Sequence, residues 1–300
     1  MIRTTRASGE PGKASGWRLA QHLARISFVR ASALLMVALV VLSWLYIAAE
    51  DRGQGAAFFS VEAAGRAWDF LWGDLLGAGS DGRPAFLKAS EWRAMVPLAR
   101  DTLAMSVLGI GFAGLVALAT FVFGARNVMT GELAPYGGVG WKLAFLVARG
   151  FFIVARGVPE LIWAFLIIFI FSPGILPGAI ALAIHNSGIL GKLASETVEG
   201  LDPRPIRSLQ GAGAGQFRVL FYGVLPQALP KLLTFLLYRW EVIIRTTIVV
   251  GFVAAGGLGL EFRLSMSHFQ YTTVTLILIW YLGLVVFVDV VAVGLRRLAR

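Results

Sequence analysis

Arg239, Glu241 and Arg245 lie inside an apolar stretch, Lys231 to Ala254, that is long enough to cross a bilayer. A charge at the centre of a membrane helix costs about 3 kcal/mol on insertion scales, so such residues face a bundle interior or water and often mark the route of an ion or substrate. Glu241 and Arg245 are one helical turn apart and are expected to pair. Arg239 offers a cation suited to an oxyanion such as phosphate or phosphonate. The competing reading for all three is an ion pair that fixes helix register. Arg156, Pro159 and Glu160 open another apolar stretch, and Arg156 suits either a translocation path or a lipid headgroup. Asp289 is the remaining deep acid, near the end of Thr272 to Leu295.

Catalytic signatures are missing. There is no Walker A sequence, no G-x-S-x-G and no H-E-x-x-H, so no catalytic residue is assigned and the chain is not expected to hydrolyse ATP. His185, beside Asn186, and His268 have no ligand-like spacing to each other or to the third histidine. Both are expected to be hydrogen-bonded packing residues, and no metal or bound cofactor is expected.

The elements that hold these residues follow from composition. Of 300 residues, 57% are hydrophobic and 15% charged, where a soluble domain carries about 25% charged. Mean hydropathy is +0.75. This is a polytopic, all-α membrane protein. The net charge of +10 comes from basic residues flanking apolar spans, as the positive-inside rule requires, and nucleic acid is not an expected partner. The absence of cysteine leaves the redox compartment unread.

Residues 1–30 form a basic tail, with a possible surface helix from Trp17. A first span covers 31–49. Residues 50–97 form an outer segment, amphipathic from Phe58 to Leu76. A transmembrane domain fills 98–295, and 296–300 is a basic tail. Within the domain, Leu103 to Phe123 is a span and Leu143 to Ala155 an interfacial helix. Pro159 to Phe171 and Leu176 to Leu193 are two short helices joined at Ser172 to Ile175. With Lys231 to Ala254 and Thr272 to Leu295 the expected count is six spans, with both termini in the cytoplasm. Parity supports the paired short helices, because the loop at 194–230 holds Arg204, Arg207 and Arg218 and belongs inside.

That loop has the pattern of a docking element. Asp202-Pro203 starts a helix, since Asp caps and proline suits the first turn. Gly211, Gly213 and Gly215 break it. Gln216 to Leu225 resumes a helical pattern until Leu225-Pro226 and Pro230 punctuate it.

The loop resembles the cytoplasmic coupling loop of ABC-importer permeases, with Gly213 at the family's fixed glycine and Leu225-Pro226 at its Leu-Pro. Arg207, Ser208 and Leu209 stand where the family usually has an acid and two small residues. Arg156 to Trp163 (RGVPELIW) and Gly251 to Glu261 (GFVAAGGLGLE) resemble the permease of phosphonate importers. So do Tyr222 to Gln227 (YGVLPQ) and Tyr238-Arg239. The likeness covers roughly 97–294.

It implies a type I ABC permease fold in the bacterial plasma membrane. The implied partners are an ATPase dimer using ATP and Mg, a substrate-binding protein, a second permease copy or paralogue, and the lipid bilayer. It further implies that Ser208 and Leu209 insert into an ATPase groove and that Asp202, Pro203, Arg207, Gly213 and Ala214 shape the coupling loop. Gly251, Gly256, Gly257 and Gly259 become a flexible outer gate. The expected cargo is phosphonate, phosphate or phosphite. An enzyme acting on a phosphate-containing lipid is the alternative.

Overall fold

The computed structural model describes residues 28–50, 60–77, 82–131 and 138–298. The basic tail before Phe28, with its expected surface helix, lies outside them. The chain divides into two compact units, Met1–Phe70 and Leu71–Arg300. In the first, α1 (Phe28–Glu50) is apolar on all sides and buries no residue. The amphipathic α2 (Val61–Asp69) is capped by Ser60, whose hydroxyl accepts from Ala63 N at 3.1 Å.

The second unit is built from α3 (Ala89–Thr120), α4 (Arg126–Met129), α5 (Val139–Gly157), α6 (Glu160–Ile170) and α7 (Ile175–Glu199). There follow α8 (Pro203–Gly211), α9 (Gln216–Arg218), α10 (Leu225–Val250), α11 (Gly257–Ser267) and α12 (Tyr271–Leu298). The described residues contain helices, turns and bends and no strand.

The centre of this unit is α7, which packs against α3, α5, α6 and α10. Fourteen of its 25 residues are buried, and small side chains make this possible. A Cβ on Gly188 would stand 2.9 Å from the Phe152 carbonyl oxygen, and Gly191 makes room for the Phe152 ring. Arg149 on α5 clamps the chain after α3 to the end of α7. It donates to the Gly124 carbonyl at 2.8 Å and to Glu199 at 2.5 Å, and Glu199 also accepts from Arg126 N at 2.8 Å.

Among the described residues, four helical stretches are long and apolar enough to cross a membrane: Phe28–Glu50, Ala89–Thr120, Gln216–Val253 and Tyr271–Leu298. A fifth candidate is the pair α5 and α6, bent by 97°. Pro159 explains the bend, because it forces Val158 into an extended conformation (φ −89°, ψ 123°) and so ends α5. Leu143 to Ala155, expected to be interfacial, is therefore one limb of a bent pair that has the form of a broken span or a re-entrant loop. The other limb, α6, has 11 residues, about half of what a bilayer needs. At 25 residues α7 is long, but it is not among these stretches, so the described residues give four or five candidate spans where six were expected. The helix that holds the expected span from Leu103 begins earlier, at Ala89.

Candidate functional site

The element that stands out at one end of the bundle is α8. Asp202 caps it, its carboxylate accepting from Arg204 N at 3.0 Å, and Pro203 occupies the first turn. Gly213 ends it with φ +80°. Gly213 N bonds to the Gln210 carbonyl at 2.9 Å and Ala214 N to the Leu209 carbonyl at 3.0 Å, the paired bonds of a Schellman turn. Nothing lies within 4 Å of a Cβ at Gly213. Within this chain, what demands glycine here is therefore the backbone angle alone.

One face of α8 is anchored. Ile206 is fully buried in a cluster with Phe121, Val198, Val219 and Val224, and Leu209 packs against the same cluster. Leu209 thus turns toward its own bundle, and the expectation that it enters a partner's groove is corrected. The helical period puts it on the Ile206 side. Arg204, Arg207 and Ser208 face outward. Leu225-Pro226 does not end a helix either. A π-helical turn, Val219–Val224, runs straight into α10, and Pro226 and Pro230 are carried within one helical stretch from Gln216 to Val253.

At the opposite end, Gly251–Ala255 is a second π-turn, Gly256 has φ +97° and α11 starts at Gly257. Three of the four glycines here are closely packed, while Gly256 has open space around it. A Cβ on Gly251 would stand 2.8 Å from Gly259 Cα, Gly259 has no room for one beside the Ile248 carbonyl, and one on Gly257 would meet Thr102 Oγ1 at 2.5 Å. Thr102 on α3 caps α11 from a distance: its hydroxyl accepts from Leu258 N at 2.9 Å and donates to the Leu98 carbonyl at 2.9 Å. The turn expected to be flexible is thus held closely at Gly251, Gly257 and Gly259, with Gly256 left open. Nothing about Thr102 in the sequence marks this role.

The charges of α10 are partnered differently from expectation. Glu241 and Arg245 do not pair. Glu241 accepts from Arg296 at 2.5 Å, and Arg245 binds both carboxylate oxygens of Asp289 at 2.9 and 3.0 Å. Both therefore tie α10 to α12. Arg239 points elsewhere, into a polar cluster with α6 and α7. Its Nε donates to Asn186 Oδ1 at 2.5 Å, and Asn186 Nδ2 donates to the Leu182 carbonyl at 2.7 Å. Beside it, His185 donates through Nδ1 to the Val158 carbonyl at 2.9 Å, and its Nε2 is 3.4 Å from Glu160 Oε2. Glu160 and Arg239, far apart in sequence, thus share a neighbourhood. Arg156 and Pro159 are exposed beside it. No three His, Asp or Glu side chains converge as a metal site among the described residues.

A helical membrane bundle with a rigid helix presented at one end, and no hydrolytic motif of its own, has the architecture of a transport subunit driven by a separate engine. Residues 141–300 match the family model described as binding-protein-dependent transport system inner membrane component, and the chain belongs to that family.

A phosphite transport system permease protein of Stutzerimonas stutzeri is 36% identical over 208 residues, covering 69% of this chain and 72% of that protein. A phosphate-import permease protein of Mycolicibacterium smegmatis is 31% identical over 201 residues, 67% of this chain and 36% of the relative. A putative cryptic phosphonate transport system permease protein of Escherichia coli K12 is 36% identical over 118 residues, 39% of this chain and 97% of the relative. Among solved structures, the inward-facing MetNI methionine ABC transporter matches with TM-score 0.60 at 16% identity, over 71% of this chain and 99% of that one. An amino acid ABC transporter matches with TM-score 0.54 at 19% identity, over 70% and 98%.

The fold is that of type I ABC importer permeases. The chain is the membrane subunit of an ABC importer and not an enzyme; ATP is hydrolysed by a separate subunit. The lipid-phosphate enzyme has no support in this family.

Proposed function

We propose that this permease carries a small phosphorus oxyanion, phosphonate, phosphite or phosphate, across the bacterial inner membrane. The observation that carries the reading is the likeness to permeases named for phosphite, phosphate and phosphonate transport, at 31–36% identity. A substrate-binding protein delivers the anion to the outer face. Two permease chains, identical or paralogous, enclose the path. An ATPase dimer with ATP and Mg grips α8 from the cytoplasm through Arg204, Arg207 and Ser208.

In this reading the cap at Asp202 and Pro203, the turn at Gly213 and Ala214, and the unbroken helix through Leu225 and Pro226 carry the ATPase stroke into α10. Gly256, Gly257 and Gly259 hold the outer gate, and Arg156, Pro159 and Glu160 line the route with α10. In this reading α8 and both termini lie in the cytoplasm, which is supported by the positive-inside pattern of Arg204, Arg207, Arg218, Arg296 and Arg297 and of the basic residues before the first span.

The test is ATP-dependent uptake of labelled phosphite, phosphate and methylphosphonate into proteoliposomes holding the permease, its ATPase and its binding protein. Saturable uptake of at least one is expected. Uptake of an amino acid with none of the three would remove the substrate assignment while leaving the importer intact.

A further inference from the structure

Arg239 is held in place with its binding end open. Nε is committed to Asn186, itself 1% exposed, and the two Nη groups have no ion pair or hydrogen bond among the described residues. Glu160 interacts with the guanidinium electrostatically and sits against His185. A half-buried cation in an apolar helix normally takes a carboxylate directly, as Arg245 and Arg296 do in this bundle. Arg239 instead has a neutral amide on its inner nitrogen and a free fork beyond it. Two parallel N–H donors at fixed spacing match two oxygens of a tetrahedral anion.

We infer that Arg239, positioned by Asn186, is a transit site for a tetrahedral phosphorus oxyanion, with Glu160 as the resident counter-charge. This rests on the oxyanion reading above and adds the residues that would meet the cargo inside the bundle. Two features suit transit over storage. Glu160 keeps the empty site near neutrality, so the cation is tolerated within the bundle. The same carboxylate repels an arriving anion, so occupancy is weak, and a conducting site must release what it binds.

The experiment is phosphorus NMR line broadening of inorganic phosphite on the purified permease–ATPase complex, without binding protein, in phosphatidylcholine nanodiscs. Broadening is expected for wild type, loss for Arg239→Gln and partial retention for Arg239→Lys. Asn186→Leu keeps the charge but frees the guanidinium, and is expected to weaken binding about tenfold. Unchanged broadening in Arg239→Gln overturns the site. If Arg239→Gln fails to assemble with the ATPase, the Asn186→Leu complex decides, and wild-type broadening there overturns the site equally. Nanodiscs of phosphatidylglycerol separate a free anion from a headgroup phosphate: equal broadening in both supports the free anion, and loss in phosphatidylglycerol overturns it. Failure of the oxyanion reading looks different: wild type then transports none of the three anions. A wild type that imports phosphite without binding it here loses only this site.

Discussion

Gly213 sits at φ +80° with open space where a Cβ would be, so alanine there adds backbone strain alone, about 1 kcal/mol. Gly213→Ala is expected to loosen the turn after α8 and reduce ATPase recovery in a detergent pull-down several-fold. Gly211→Ala is the control, since Gly211 has neither a positive φ nor a close neighbour, and recovery should be unchanged. Equal loss in both would show that the turn geometry is not what the ATPase senses. The sequence treats these glycines alike, because composition signals a turn and not which residue takes the left-handed angle.

Thr102 was invisible for a related reason: its partner, Leu258 N, is far along the chain. Thr102→Val leaves that buried N–H unpaired at about 1–3 kcal/mol. The expected outcome is a lower melting temperature of the purified complex and faster protease cleavage near Gly256, with Thr102→Ser close to wild type. The Glu241–Arg245 pairing failed in the same way. Helical spacing reports neighbours on one helix, whereas Arg296 and Asp289 come from another.

At the scale of elements, α8 works as a ledge because it is bolted to the π-turn behind it. A Cβ on Gly223 would stand 3.1 Å from Leu209 Cδ1 and 3.4 Å from Ile206 Cγ1. Gly223→Val is therefore expected to push α8 off its seat. The ATPase should still bind, through Arg204, Arg207 and Ser208, but hydrolysis stimulated by the binding protein should fall well below wild type. Full stimulation in Gly223→Val would mean that α8 transmits nothing through this contact.

The start of α8 at Asp202-Pro203 was legible, since an N-cap followed by proline is a local signal. The passage through Leu225-Pro226 was not. Proline reads as a breaker, yet a π-turn before it absorbs the lost backbone bond, and Gln227 Nε2 donates to the Gly223 carbonyl at 2.7 Å. The bent pair of α5 and α6 was half legible. Pro159 announced the break, but nothing local in the sequence tells what Arg149 reaches. In fact Arg149 is spent on Glu199 and the Gly124 carbonyl.

For the whole molecule, the helical membrane class followed from composition alone, but which faces meet lipid did not. The Arg245–Asp289 pair bears on this. Its side chains remain 48% and 38% exposed, although both lie well inside apolar helices, and Tyr281 adds a hydroxyl donated to the Arg245 carbonyl at 2.8 Å. Hydrocarbon solvates neither charge, so intramembrane ion pairs face protein or water. The apolar residues flanking the pair on α12, Leu282 and Val286, are 63% and 53% exposed. This face of α10 and α12 is therefore expected to meet the second permease chain.

Because the chain has no cysteine, Val286→Cys introduces a single reporter. If the importer is a homodimer with a two-fold axis along this face, mild oxidation in native membranes should give a disulfide-linked permease dimer. With a paralogous partner, a cross-link of the partner's mass should form on illumination of a maleimide–benzophenone label at position 286, which needs no thiol on the partner. A bimane label at position 286 that reports a lipid environment, with no cross-link of either kind, would mean the ion pair faces the bilayer. The second chain would then have to be sought on the α5 and α6 side.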